Sequence, residues 1–318
     1  MPQPLRQVGL SALLLLVVVA LPGATSAASA PASPPAALLD RPFPAADGPS
    51  EWRAERVLTM PQSVFAGAQV IAFYGHPGVP GMGALGAYTP QGAADEVTRV
   101  AALYDALNGD RGVLPALHLI TAVAQPLPGD DGTYLERMSD EALDRWVELA
   151  RERGLLLIVD IQIGWADPLE EVERLAGVLT KPFVHVALDP EWATRWSGLA
   201  PGEVIGRLGA DDVNAVQQYL AGIVQRYNLP PKALILHQFR GFMLTDTETY
   251  LDVPEVEVVI DMDGFGSPWA KLTNYEEFSL ASYAERPAIK LFFDWDTPLM
   301  SPERIQGLAV PPDLVIYQ

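Results

Sequence analysis

The chain has 318 residues, with 21 Lys and Arg against 40 Asp and Glu, a formal charge of −19 and no cysteine. No basic cluster occurs, which excludes nucleic acid and strongly anionic polymers as partners, since such binding requires phosphate neutralisation. Disulfides, thiolate metal sites and a lipid-modified cysteine are excluded too, and a neutral or cationic ligand suits the charge.

In chain order, Arg6 precedes the apolar run Val8–Leu21, and small residues follow to Ala28. The pattern predicts a cleaved export signal over residues 1–28; a retained anchor is the alternative, although the run is short for a bilayer span. The mature protein is thus expected outside the cytoplasm, with no membrane association beyond the cleaved segment. Residues 29–50 are rich in Ala, Pro and Ser and read as a linker. Residues 51–318 are expected to form one domain, close to the ~250 residues typical of a (β/α)8 barrel.

Eight apolar runs follow: Val70–His76, Val113–Thr121, Leu155–Gln162, Phe183–Glu191, Ala233–Phe239, Val256–Asp263, Ile289–Asp296 and Leu314–Gln318. Their near-continuous Val, Ile, Leu and Phe suit strands buried on both faces. Helical periodicity with start signals lies between them: Thr89-Pro90, Ser139-Asp140-Glu141 (ended by Gly154), Asp167-Pro168, Asp211/Asp212 (stopped by Asn228-Leu229-Pro230) and Ser301-Pro302-Glu303. Alternating strands and helices predict a (β/α)8 TIM barrel without its last helix, with residues 51–66 covering the bottom; a doubly wound open sheet is the alternative. Helix signals are weakest after Phe239 and Ala288.

Each run ends in polar side chains, and a TIM barrel builds its site at the carboxyl ends of its strands. Residues two apart share a strand face, so Asp160 with Gln162, Asp189 with Glu191, Asp261 with Asp263, and Asp294 with Asp296 point together. Glu191 is the first candidate for a general acid/base, its pKa raised by burial and by Asp189. Asp294 and Asp296, or Asp261 and Asp263, are candidate partners, and Asp160 is a further carboxylate. Tyr74, His76, His118, Gln162, His237, Gln238 and Gln318 are candidate binding groups, with Trp192, Trp269 and Trp295 as surfaces for a sugar ring. Lys290 requires a buried acid partner, and the same acids could instead form an internal ion-pair network with it. Gly81-Met-Gly83-Ala-Leu-Gly86 matches a dinucleotide fingerprint, but Pro77 and Pro80 separate it from the strand and the helix begins only after Thr89-Pro90, so it reads as a loop over the cleft. No cofactor is expected.

Pro190-Glu191 at the end of the fourth run, together with the overall layout, resembles the exported bacterial TIM-barrel glycoside hydrolases. Their retaining members carry an Asn-Glu pair there and a Glu ending strand seven; this chain has Pro190-Glu191 and Asp294/Asp296. The chitinase-like D-x-x-D-x-D-x-E run is absent. The phrases Leu188–Trp192, Met262–Gly266 and Ile316–Gln318 also look like those of a family of exported bacterial barrels. The resemblance implies a metal-independent hydrolase of a carbohydrate or cell-wall glycan with Glu191 as acid/base, its partner a glycan or other neutral polar small molecule. Two alternatives stay open: a His- or metal-dependent hydrolase, phosphodiesterase-like, using His76, His118 and His237, and a non-catalytic glycan-binding barrel at the cell surface.

Overall fold

The computed structural model describes residues 63–318; the expected export signal (1–28), the expected linker (29–50) and most of the 51–66 segment lie outside the described residues. Nine strands form one sheet: β1 (Ala68–Gly75), β2 (Gly112–Ala124), β3 (Leu135–Arg137), β4 (Leu156–Gln162), β5 (Val184–Asp189), β6 (Lys232–Gln238), β7 (Val256–Met262), β8 (Arg286–Leu291) and β9 (Leu314–Tyr317). All except β3 pair in parallel, β9 pairs with β1, and β1 pairs with β2. The result is a closed eight-stranded (β/α)8 barrel rather than an open sheet.

The helices are α1 (Pro90–Asp105), α2 (Asp140–Arg153), α3 (Pro168–Arg174), α4 (Ala210–Tyr227), α5 (Pro268–Asn274) and α6 (Pro302–Gln306), with shorter helical turns between. Their starts follow local chemistry. The hydroxyl of Thr89 accepts from the Gly92 amide at 3.1 Å, that of Ser139 from Ala142, and Asp167 Oδ1 from Leu169 at 2.9 Å. α2 stops at Gly154 and α4 at Asn228, both in the left-handed region. Among the described residues, no helix is long and apolar enough to cross a membrane.

The structure departs from the sequence pattern at β2 and at β8, which runs from Arg286 to Leu291 and leaves Asp294 and Asp296 beyond the strand, one exposed and one buried. β2 does not end at Thr121; its register shifts between Ile120 and Ala122, and Ala122–Ala124 then pair antiparallel with β3. This bulge lets the Thr121 hydroxyl donate to the Asp160 carbonyl at 2.9 Å. The segment after β6 forms only two short 3-10 turns, Gly241–Met243 and Thr247–Thr249, in keeping with its weak helical pattern.

Val64 and Phe65 close the N-terminal mouth against Val70, Leu156, His185 and Ala233, as expected of the end of the 51–66 segment. His185 is core: its Nδ1 accepts from the Ala233 amide at 3.0 Å, and burial pushes its pKa down to about 3. These inward positions set the parity of each strand. Four residues further along, the same faces carry Tyr74, Asp160, Asp189 and His237 to the opposite mouth.

Candidate functional site

Six barrel strands converge at the C-terminal mouth. β1 brings Tyr74, β2 His118, β4 Asp160 and Gln162, and β6 His237. β7 brings Asp261 with Asp263 just beyond it, and β8 brings Lys290. Asp160 Oδ2 accepts from His118 Nε2 at 2.7 Å and from His237 Nε2 at 2.8 Å. On the other side of the His237 ring, Nδ1 donates to Asp261 Oδ2 at 2.8 Å and lies 3.3 Å from Asp263 Oδ2. Lys290 Nζ donates to Asp263 Oδ2 at 2.8 Å and sits 3.8 Å above the centroid of the Tyr74 ring. Lys290 therefore has the buried aspartate partner its position demands, and that partner is Asp263.

These contacts fix the protonation states. An ionised carboxylate only accepts, so both nitrogens of His237 carry protons and the ring is an imidazolium. Burial works against that charge, but Asp160 and Asp261 outweigh it and hold the pKa well above its ordinary value. His118 has one acid partner and an unpaired Nδ1; burial dominates, its pKa is lowered, and it stays neutral with its proton on Nε2. Burial also works to raise Asp160, but His237 and His118 hold it below the usual carboxylate range. Asp263 is likewise lowered, burial being overcome by Lys290 and His237.

Asp189 and Glu191 lie at the rim beside this group and behave oppositely. Asp189 Oδ1 accepts from the Glu191 amide at 3.1 Å, and Oδ2 from Trp192 Nε1 at 2.9 Å. Burial, with Asp160 and Asp263 adding to it, pushes Asp189 up to about 7. Glu191, in the 3-10 turn Pro190–Trp192, is half-buried, and its carboxyl makes no hydrogen bond among the described residues. Burial raises it first, then the charges of Asp189 and Asp263, to about 8. The expected cause of a raised Glu191 pKa is thus present in the structure.

Other candidates lie apart. Asp296 is buried beneath the rim: Oδ2 accepts from the Phe292 amide at 2.9 Å and lies 3.1 Å from Lys271 Nζ, while Oδ1 accepts from the Gly266 amide at 2.9 Å. It ties loops together. Asp294 is exposed and lines a separate cavity of about 100 Å³ with Trp295 and Gln318. Gln238 is buried and accepts from the Tyr283 hydroxyl at 2.9 Å. His76 is bound to the Ile120 carbonyl at 3.0 Å and does not join His118 and His237. Gln162 accepts from the Ala124 amide at 2.9 Å and lies within hydrogen-bonding reach of Tyr74. Trp269 and Trp295 are exposed at the rim. Lys271 escaped the sequence reading, because a lysine near a helix start signals burial only once the phase of α5 is known.

Two groups have the composition of metal sites, His118/Asp160/His237 and His237/Asp261/Asp263. In the first group the spacing is that of hydrogen bonds. A tetrahedral ion with ligands at ~2.0–2.1 Å would hold two of them about 3.3 Å apart, whereas the N···O separations to Asp160 are 2.7 and 2.8 Å. His118 Nδ1 also lacks the supporting acceptor that ligating histidines use.

Fold and site together define a (β/α)8 barrel with a buried His–Asp–Lys network beneath a pair of acids of raised pKa. No family model matches the chain, and no curated protein matches it in sequence.

Proposed function

We propose that this protein is an exported glycan hydrolase in which Glu191 donates the proton and Asp263 supplies the opposing negative charge. One observation carries the reading: two carboxyl groups in one mouth have pKa values driven apart, Glu191 up to about 8 and Asp263 below the ordinary range. Such divergence separates an acid from an ionised partner at neutral pH. They are close enough that the charge of Asp263 contributes to the rise of Glu191.

In the proposed step the bond between the anomeric carbon and the bridging oxygen breaks, and that oxygen takes the proton of Glu191. Asp263, kept ionised by Lys290 and His237, faces the developing cation. Water then adds its hydroxyl to the anomeric carbon and returns its proton to Glu191. A second reading, a non-catalytic glycan-binding barrel, is favoured by the completeness of the Lys290–Asp263 and His237–Asp261 pairing, which would tie the strands together without any reaction.

Turnover of Glu191→Gln on a panel of soluble glycans separates the two. The hydrolase reading expects a loss of about 10²–10⁴-fold and, in the unaltered protein, an alkaline limb of the rate profile near pH 8. Full turnover by the variant, or no turnover by the parent, would remove it.

A further inference from the structure

Every exposed Trp and Phe among the described residues lies in a loop or first helical turn following a barrel strand at the C-terminal mouth: Trp196, Phe242, Phe265, Trp269 and Trp295. Three of them follow β7 and β8, the strands that deliver Asp263 and Lys290. Phe265 is 63% exposed, Trp269 77% and Trp295 41%, an unfavourable arrangement unless the surface is used.

These rings are also held in place. Trp295 stacks on the buried Phe292 with centroids 5.7 Å apart and planes at 27°, and Phe265 packs 5.6 Å from Trp295 and 6.0 Å from Phe292. Asp296 bonds to both loops, through the Gly266 amide on one and the Phe292 amide on the other, and pairs with Lys271. A buried aspartate and lysine thus fix the relative position of two loops whose tips are aromatic and exposed. Beside Trp295 lies the cavity of about 100 Å³, where Asp294 and Gln318 supply polar groups.

We propose that Phe265, Trp295 and this cavity form a subsite for a pyranose ring of a neutral or amino-sugar glycan, at the same mouth of the barrel as the acid pair. The C–H face of the ring lies on the exposed aromatics, and its hydroxyl or amino groups reach Asp294 and Gln318. The net charge of −19 disfavours acidic sugars. The substrate is then an extended chain that crosses the rim, and Asp296 is the positioning residue that keeps the platform assembled. This inference rests on the hydrolase reading for its substrate, but its binding test does not depend on turnover.

The test is calorimetric titration of chitohexaose and cellohexaose into the Glu191→Gln protein and into the same protein carrying Trp295→Ala or Phe265→Ala. The inference expects binding of at least one oligosaccharide and a loss of about tenfold or more in affinity for Trp295→Ala. Trp295→Tyr should restore most of it. Binding unaffected by Trp295→Ala, or absent in the parent for both sugars, overturns the subsite. Glu191-dependent turnover with unaffected binding removes the subsite and leaves the hydrolase. Trp295-dependent binding without any turnover removes the hydrolase and leaves the subsite.

Discussion

At the N-terminal mouth Lys232 gives its buried ammonium to two backbone carbonyls, Lys181 at 2.6 Å and Val184 at 2.8 Å, and His185 is held neutral beneath Val64 and Phe65. At the C-terminal mouth Lys290 and His237 face carboxylates, both stay charged, and two further acids at the rim are pushed toward their neutral forms. The same strands build both ends, so the difference is not one of fold. Burial, with the charge of Lys232 adding to it, neutralises His185. Burial beside an ordered set of opposite charges preserves the charge of a basic group, and the cost appears in the neighbouring acids Asp189 and Glu191. Charge held by opposite charges at one mouth and weakened by burial at the other is what singles out the C-terminal end as the candidate site.

The largest effect expected from breaking this contrast is the loss of turnover in Glu191→Gln. The same substitution should raise stability above about pH 8, because a carboxylate without hydrogen bonds no longer has to ionise in the folded state. Chemical denaturation at pH 9 checks this; a destabilised variant would mean that Glu191 ties the rim together.

Next in size is Asp160→Asn. It removes the acceptor shared by His118 and His237 and presents a donor to one of them, leaving the imidazolium half-paired in a fully buried site. Breaking such a pair costs about 3–5 kcal/mol. Denaturant midpoints read the loss; a cost below about 1 kcal/mol would show that the network does not hold the barrel together.

Much of this was legible in the chain. Continuous Val/Ile/Leu runs suited strands buried on both faces, and caps such as Thr89 and Asp167 set the helix starts. The pairing of Lys290 with a barrel aspartate followed from burial alone. What sequence could not provide was direction around the barrel. Asp294 and Asp296 have the same spacing as Asp261 and Asp263, yet one member, Asp296, is turned under the rim by backbone amides from two loops. Nor does period two show that the rings of His118 and His237 meet at one oxygen, because that depends on the stagger between strands. β3 and the bulge at Thr121 left no periodic trace, being short and formed only by closure against β2.

The smallest expected effect is that of Lys232→Met at neutral pH, and it belongs to a pH dependence of stability in which the two mouths should have opposite slopes. Glu191 and Asp189 rise from ordinary values of 4.5 and 3.8 to about 8 and about 7. Between about pH 4 and 8 the folded protein therefore binds more protons than the unfolded chain, and their contribution makes stability fall as pH rises. Lys232 is lowered from 10.5 to about 7 by burial. Between about pH 7 and 10.5 the unfolded chain binds the extra proton, so this residue makes stability rise with pH. Lys232→Met should abolish the rising component and leave the falling one intact. At pH 7 it gives up two carbonyl contacts worth about 0.5–1.5 kcal/mol each, offset in part by removing an ammonium that is costly to bury. Urea titrations at intervals from pH 5 to 10 read both slopes. An unchanged slope above pH 7 in the variant would mean that the ammonium of Lys232 keeps its proton as Lys290 does, and that the two mouths do not differ in how they treat a buried charge.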